Sequence, residues 1–465
     1  MHGRENWSSH MAFVMAAAAS AVGLGNLWRF PYLAAKYGGG IFLLTYAVLA
    51  ATLGFTLLVV ETAVGRRTRL SPPAAYRSLS PKWQGIGWLG IAAPAIVLCY
   101  YNAVGGWTVK YLAVYAERVF RGGEALDAVK SGELFGGFIS GGSYAPLVCG
   151  AVFAGCTAAL VLAGVKKGIE RSSKILMPIL LALCVAVSCI SLSQPGAAEG
   201  LEYYLRPDFS AFSWKTVVWA MGQMFFSLSI SLGIMITYGS YMRKDDSICR
   251  SVLRIEMFDG AVAFLAGLMI IPPTYAFLGP EGVQSQGPGL MFIALPAVFS
   301  RMTLFGAEIG DIAGLMFFAL AFFAALTSCV STMETVTSSL RDCTGMRRAP
   351  AGTVVAVAMG AALVPISLCY VKDGFFSGDI LPGMPLLDFM DFAANNLLMP
   401  ACGFLTCIFI GWIVGPEWVI SETEADGSRF RFRRLFSFTL KYAAPIAIAG
   451  IALAYTLKQL DWISM

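Results

Sequence analysis

Two short segments of this chain gather hydroxyls, glycines and exposed backbone inside otherwise apolar surroundings. Ser20-Ala21-Val22-Gly23-Leu24-Gly25-Asn26 sets a polar Asn26 beside two glycines, and Ser227-Leu228-Ser229-Ile230-Ser231-Leu232-Gly233 carries three serines and a glycine. Hydroxyl, amide and carbonyl oxygens are hard ligands, suited to Na⁺ rather than to a soft metal. The N–H groups freed where a helix starts again face an anionic group, and unwound carbonyls face a cation. The chemistry on offer is therefore the holding of ions and zwitterions. No nucleophile–base pair accompanies it, and the two histidines, His2 and His10, lie at the extreme N-terminus, so an interior histidine base or histidine metal site is excluded. Gly23-x-Gly25 is not a dinucleotide fingerprint, since position 28 is Trp and no strand precedes it.

Ionisable side chains within apolar stretches are functional candidates, because a charge at membrane depth is costly. Glu61, Asp259, Glu334, Arg29 and Asp391 meet that description. Arg29 follows the first glycine-rich segment and Asp391 opens a late apolar stretch on the same side. The two can meet above a central cavity, either as a gate formed on closure or as a static ion pair. Thr327-Ser328, beside Ala324-Ala325, offers two adjacent hydroxyls as ion ligands or as hydrogen-bonding glue between helices.

A bundle of membrane helices must position these groups. Of the 465 residues, 57% are hydrophobic and 13% charged, and the mean hydropathy is +0.69; soluble domains carry about 25% charged residues. At about 20 apolar residues per crossing the chain holds material for ten or more spans, which excludes a soluble enzyme and a single-span receptor. Eleven spans are predicted, at about 10–36, 41–65, 87–116, 146–164, 172–192, 214–241, 252–278, 310–340, 352–371, 388–414 and 435–457. The stretch Met11 to Ser20 imitates a signal peptide, but its apolar character continues through Pro31, so it reads as a retained helix interrupted near its middle. Alternate loops hold 22 of the 33 basic residues, which places the N-terminus in the cytoplasm and the C-terminus outside. The net charge of +5 is not clustered on a soluble face, so the expected partner is the lipid bilayer and not nucleic acid. The eleven cysteines form no metal-type pair and read as small buried thiols. Leu290 to Pro296, after Gly287-Pro288-Gly289, is too apolar for a solvated loop and too short for a span, and is predicted to form a lid dipping towards the membrane.

The bilayer interior tolerates irregular backbone only where it is buried in protein or lines a cavity. The two irregular segments open the first and sixth spans, five apart, so the chain divides into two five-span halves that each begin with a broken helix. That is the arrangement of inverted-repeat transporters with a site at mid-membrane.

The run Ser20 to Tyr32, with Gly38-Gly39-Gly40 after it, resembles the signature of the neurotransmitter:sodium symporter family. Glu61-x-x-x-Gly65-Arg66, Tyr100-Tyr101, Gly168-Ile169-Glu170, Gly222-Gln223-x-Phe225-Phe226-Ser227-Leu228-Ser229, Thr237-Tyr238-Gly239-Ser240-Tyr241, Leu326-Thr327-Ser328 and Met390-Asp391-Phe392 follow in order. The resemblance covers essentially the whole chain and is nearest to bacterial amino-acid symporters of the eleven-helix type. It implies an all-α membrane protein with a leucine-transporter-like 5+5 inverted repeat, helices 1 and 6 broken, in one domain spanning 1–465. The first repeat would cover about 10–192, the second about 214–414, and an extra helix 11 about 435–457. The resemblance further implies a bacterial inner-membrane location.

Carried over by position, the resemblance implies two Na⁺ sites and no organic cofactor. The first would use Ala21, Asn26, Ser227, Asp259 and a substrate carboxylate oxygen; the second would use Ala19, Val22, Ala324, Thr327 and Ser328. The substrate carboxylate would rest on the Leu24 and Gly25 N–H groups and the Tyr101 hydroxyl, with the ammonium on carbonyls of Ala21, Phe226 and Ser229. Val97, Tyr101, Phe226, Ser229, Leu232, Ser328 and Thr332 would line the side-chain pocket. Arg29 and Asp391 correspond to an outer gate, Arg4, Trp7, Tyr241 and Asp342 to an inner one, and Glu61 to a brace for the unwound segments. Glu334 is open to an inner-gate role or to proton exchange. Gly23 stands where monoamine carriers of the family place an Asp, and Asp259 where chloride-dependent animal members have Asn. These residues imply chloride-independent uptake of a neutral, hydrophobic L-amino acid with two Na⁺, by alternating access. A proton-coupled carrier on the same fold and, further off, a channel are the alternatives. The oligomeric state is not legible.

Overall fold

The computed structural model describes residues 5–283, 289–371 and 374–459. In chain order, the bundle starts with α1 (His10–Ala21) and α2 (Gly25–Lys36), which are bent by 54° at a short break, and continues with α3 (Gly40–Thr68), α4 (Pro81–Arg121), α5 (Ala145–Leu162) and α6 (Val165–Leu192). Next come α7 (Trp214–Ser227) and α8 (Ile234–Gly239), then α9 (Ile248–Gly279), α10 (Leu290–Phe299), α11 (Gly310–Thr344), α12 (Arg348–Leu368), α13 (Leu386–Val414) and α14 (Arg433–Thr456). Apolar runs of this length close their backbone hydrogen bonds within the helix, which lipid cannot do for them.

Among the described residues nine helices are long and apolar enough to cross a membrane, and ten crossings result when α1 and α2 are taken as one. The predicted count of eleven is thus not reproduced. The sixth expected span, 214–241, consists of α7 and α8, each too short to cross alone at about 20 residues per crossing. The all-α expectation holds, with two short antiparallel ribbons in the loops, Thr303–Leu304 with Ala307–Glu308 and Asp379–Leu381 with Met384–Pro385.

The architecture is the predicted one, with paired five-helix halves opening on broken helices. α4 and α11 run against each other through the middle, and α5 and α12 pack on both. The expected lid is α10, a buried apolar helix of ten residues. Its Phe292 stacks on Phe135 at 5.2 Å and meets Trp107, Tyr111 and Phe318. Of the glycine turn expected before it, positions 287 and 288 lie outside the described residues. All eleven cysteines are unpaired.

Candidate functional site

The two helix breaks face one another across the centre. In the first, Val22 turns to extended backbone (φ −71°, ψ 105°) at the end of α1. Asn26 then folds back so that its Oδ1 accepts the Gly23 N–H at 3.1 Å. In the second, residues 228–233 leave the helix, with Ser229 at φ 53°, Ser231 at φ 69° and Gly233 at φ 65°. A left-handed serine costs on the order of 1 kcal/mol and persists only where its surroundings hold it. Glu61, buried on α3, does so for Ser231, whose N–H it accepts at 2.7 Å.

Asp259 on α9 draws three donors from three other elements. Its Oδ1 accepts Asn26 Nδ2 and Ser227 Oγ, each at 2.8 Å, and its Oδ2 accepts the Tyr46 hydroxyl at 2.9 Å. The carboxylate is 1% exposed. The oxygens of Asp259, Ser227 and Tyr46 are hard ligands, whereas Asn26 turns its amide N–H towards Asp259 and its Oδ1 towards the Gly23 N–H. Tyr46 was not anticipated from sequence, because one tyrosine in an apolar helix carries no spacing signal.

The second hydroxyl cluster lies across the first break. Ser328 Oγ donates to the carbonyls of Ser20 at 3.0 Å and Val22 at 3.1 Å, tying α11 to the unwound segment. Thr327 Oγ1 stays on its own helix, on the carbonyls of Phe323 at 3.0 Å and Ala324 at 3.1 Å. Ala19 is buried three residues before Val22.

Between the breaks lies a small cavity of about 40 Å³. Val97, Tyr101, Phe226, Ser229, Leu232 and Thr332 line it, with Ala21, Gly25, Ser227 and Ser328. Ser20, Gly23 and Asn26 reach it as well. The Leu24 N–H, expected beside the Tyr101 hydroxyl at the substrate carboxylate, donates to that hydroxyl at 3.2 Å. Gly25 is required by close approach, because a Cβ there would sit 2.4 Å from the Phe226 ring. At Gly23 a Cβ would come within 2.9 Å of Ser328 Oγ.

At the arginine-rich end the bundle is sealed. Trp7 is fully buried, with its N–H on the Tyr241 carbonyl at 3.1 Å and its indole Nε1 on the Tyr238 carbonyl at 3.0 Å. Both tyrosines meet its ring edge-on, at 5.2 and 5.9 Å. Tyr241 donates to Glu334 at 2.7 Å, and Arg348 clamps the same carboxylate at 2.8 and 2.5 Å. Asp342 accepts the Ser71 N–H at 2.8 Å. Arg4 lies outside the described residues. Sequence reasoning missed Arg348, and it left Glu170 without a role although the surrounding motif was recognised. Glu170 accepts the Ser8 N–H at 3.0 Å and the Ser8 hydroxyl, which pins the N-terminal segment to α6.

At the opposite end the expected Arg29–Asp391 contact is not made. Arg29 instead donates to the Tyr455 hydroxyl at 3.3 Å and lies 5.2 Å from the Phe226 ring centroid. Asp391 accepts Asn395 Nδ2 at 2.7 Å.

With this geometry in view, the comparisons with known proteins are specific. The sodium:neurotransmitter symporter family model matches residues 4–119 and 144–462. The chain is similar to an uncharacterized sodium-dependent transporter of Bacillus subtilis, 34% identical over 446 residues, which is 95% of each chain. It is also similar to the human sodium- and chloride-dependent GABA transporter 2, 25% identical over 468 residues, covering 90% of this chain and 75% of that one. Among solved structures it is similar to MhsT in complex with L-phenylalanine, at a TM-score of 0.85 and 36% identity, covering 97% of this chain and 99% of that one.

Proposed function

Because the chain belongs to the sodium:neurotransmitter symporter family, and is thus a sodium-dependent membrane transporter and not an enzyme, we propose that it carries a neutral, hydrophobic L-amino acid into the cell with two Na⁺, independently of chloride. The convergence of both helix breaks on one cavity, with Asp259 bonded to its lining residues Asn26 and Ser227, carries this reading. One Na⁺ would bind Asp259, Ser227, Asn26 and the Ala21 carbonyl, and the substrate carboxylate would complete its shell. Substrate and ion then stabilise each other directly, which couples their passage. The second Na⁺ would bind where Ser328 bridges to Val22, with Thr327, Ala324 and Ala19.

The amino-acid assignment is supported by what position 23 lacks. An amine without a carboxylate needs a protein anion in the cavity, and Gly23 supplies none. Val97, Phe226 and Leu232 give the opposite wall an apolar surface, and the similar structure of MhsT holds L-phenylalanine. Asp259, fixed by Tyr46, Asn26 and Ser227, provides the negative charge that a chloride ion would otherwise bring beside the first Na⁺. Each Na⁺ moving inward through 100 mV contributes about 2.3 kcal/mol, so two contribute about 4.6 kcal/mol before any concentration gradient. The sealed arginine-rich end is the cytoplasmic gate of Trp7, Tyr241 and Asp342, and Glu334 belongs to it through Tyr241 and Arg348. Arg29 and Asp391 form the outer gate.

Binding of the twenty amino acids to purified protein, with Na⁺ and with K⁺ in its place, tests this directly. We expect saturable binding of large neutral amino acids only in Na⁺, with a Na⁺ dependence steeper than first order and unchanged when gluconate replaces chloride. Uptake into liposomes that persists in K⁺ and follows a pH gradient would replace this reading with a proton-coupled carrier.

A further inference from the structure

Arg29 and Asp391 each have another partner in this structure, and the partner of Arg29 comes from the last helix of the chain. The hydroxyl of Tyr455, near the end of α14, accepts an Arg29 guanidinium N–H at 3.3 Å. Tyr455 is itself held on two sides. Its ring meets Trp219 edge-on at 5.1 Å, and Trp219 stacks on Tyr37 at 5.7 Å. Behind it is Gly222, where a Cβ would lie 1.9 Å from the Tyr455 hydroxyl oxygen and 2.9 Å from Cζ. A side chain at 222 and a tyrosine hydroxyl at 455 cannot coexist in these positions. Arg29, Phe226, Tyr455 and Asn395 line a second cavity of about 20 Å³ beside the central one. On its far side, Asn395 Nδ2 occupies Asp391 and also reaches the Tyr100 hydroxyl at 3.3 Å.

We propose that Tyr455 is a positioning residue of the outer gate, holding Arg29 off Asp391 while the outer side is open. Closing the gate then exchanges the Arg29–Tyr455 hydrogen bond for the Arg29–Asp391 ion pair. A contact present in one state and absent from the other shifts the balance between them by its full worth. A hydrogen bond to a charged group is strong enough to shift that balance about tenfold. The last span, outside both five-helix halves, thereby sets how readily the outer side closes over bound substrate. This inference rests on the reading of Arg29 and Asp391 as gate partners.

Tyr455→Phe tests it, because the ring keeps its place on Trp219 and only the hydroxyl is lost. A reporter cysteine, Asn396→Cys, lines the same cavity and is labelled from outside by a charged methanethiosulfonate. In Na⁺ without substrate, Y455F should lower the labelling rate about tenfold and tighten the apparent substrate affinity. Gly222→Ala, which forces the hydroxyl away, should act in the same direction. Asp391→Asn removes the competing destination, so in that background Y455F should change labelling less than twofold. Unchanged labelling in Y455F, or an equal effect with and without D391N, overturns the proposal. If D391N alone leaves the rate at which substrate protects the reporter unchanged, the gate reading itself fails, a result distinct from failure of the Tyr455 assignment.

Discussion

The two ends of the bundle are finished differently. At the arginine-rich end, Trp7 bonds the Tyr238 and Tyr241 carbonyls, and Tyr241 and Arg348 both bond Glu334. At the other end, Arg29 and Asp391 carry opposite charges near one cavity and are bonded to neutral side chains instead of each other. A transporter that alternates its access needs this asymmetry, since both ends open at once would make a leak. The first end rests on packing and on a charge pair; the second rests on single hydrogen bonds that can be exchanged. Opening the first should therefore be harder than closing the second.

Several substitutions sharpen or break that contrast. The largest effect is expected between the two ends, at Asp259→Ala, which leaves Asn26, Ser227 and Tyr46 aimed at a void. Na⁺-dependent substrate binding should fall at least about 100-fold, since a desolvated charge–ion contact of this type contributes several kcal/mol; equilibrium binding of labelled amino acid measures it. Trp7→Ala should come next. Removing a buried aromatic costs about 3–5 kcal/mol, enough to unseal the arginine-rich end, and labelling from the cytoplasmic side should rise while substrate affinity falls. Glu334→Gln leaves the Arg348 cation without its carboxylate and should cost about 2 kcal/mol or more, lowering the melting temperature in detergent. Ser328→Ala breaks the bridge to Ser20 and Val22, and should reduce Na⁺ affinity about tenfold, at about 1.4 kcal/mol, with a shallower Na⁺ dependence. Asp391→Asn should be the mildest, leaving binding nearly intact and slowing closure by less than about tenfold, because a partly exposed pair contributes about 1 kcal/mol or less. If D391N proves more damaging than W7A, the contrast between the two ends is wrong.

Much of the centre was legible from the residues. Gly23, Gly25 and the serines at 227, 229 and 231 are local features, and mid-membrane backbone that cannot close its own hydrogen bonds must line a cavity. Glu61 and Asp259 stood out for the same reason, as charges placed where charges are costly. Their partners did not. Tyr46 meets Asp259 across 213 residues of chain, and Arg29 meets Tyr455 across 426. The Leu24 N–H was expected beside the Tyr101 hydroxyl, and that hydroxyl accepts it. The sixth span was expected broken, and six residues of non-helical backbone do divide it into two short helices.

Composition and the order of polar residues along the chain thus determined that this is a membrane bundle with two breaks and a polar centre. The reason is that lipid imposes the same demand on every residue's backbone, and a local sequence either meets it or does not. Which end is closed, which charges are paired, and that the last helix reaches back to Arg29 were decided only by tertiary structure. Those choices depend on side chains from distant segments arriving within about 3 Å of one another, and no local pattern encodes such distances.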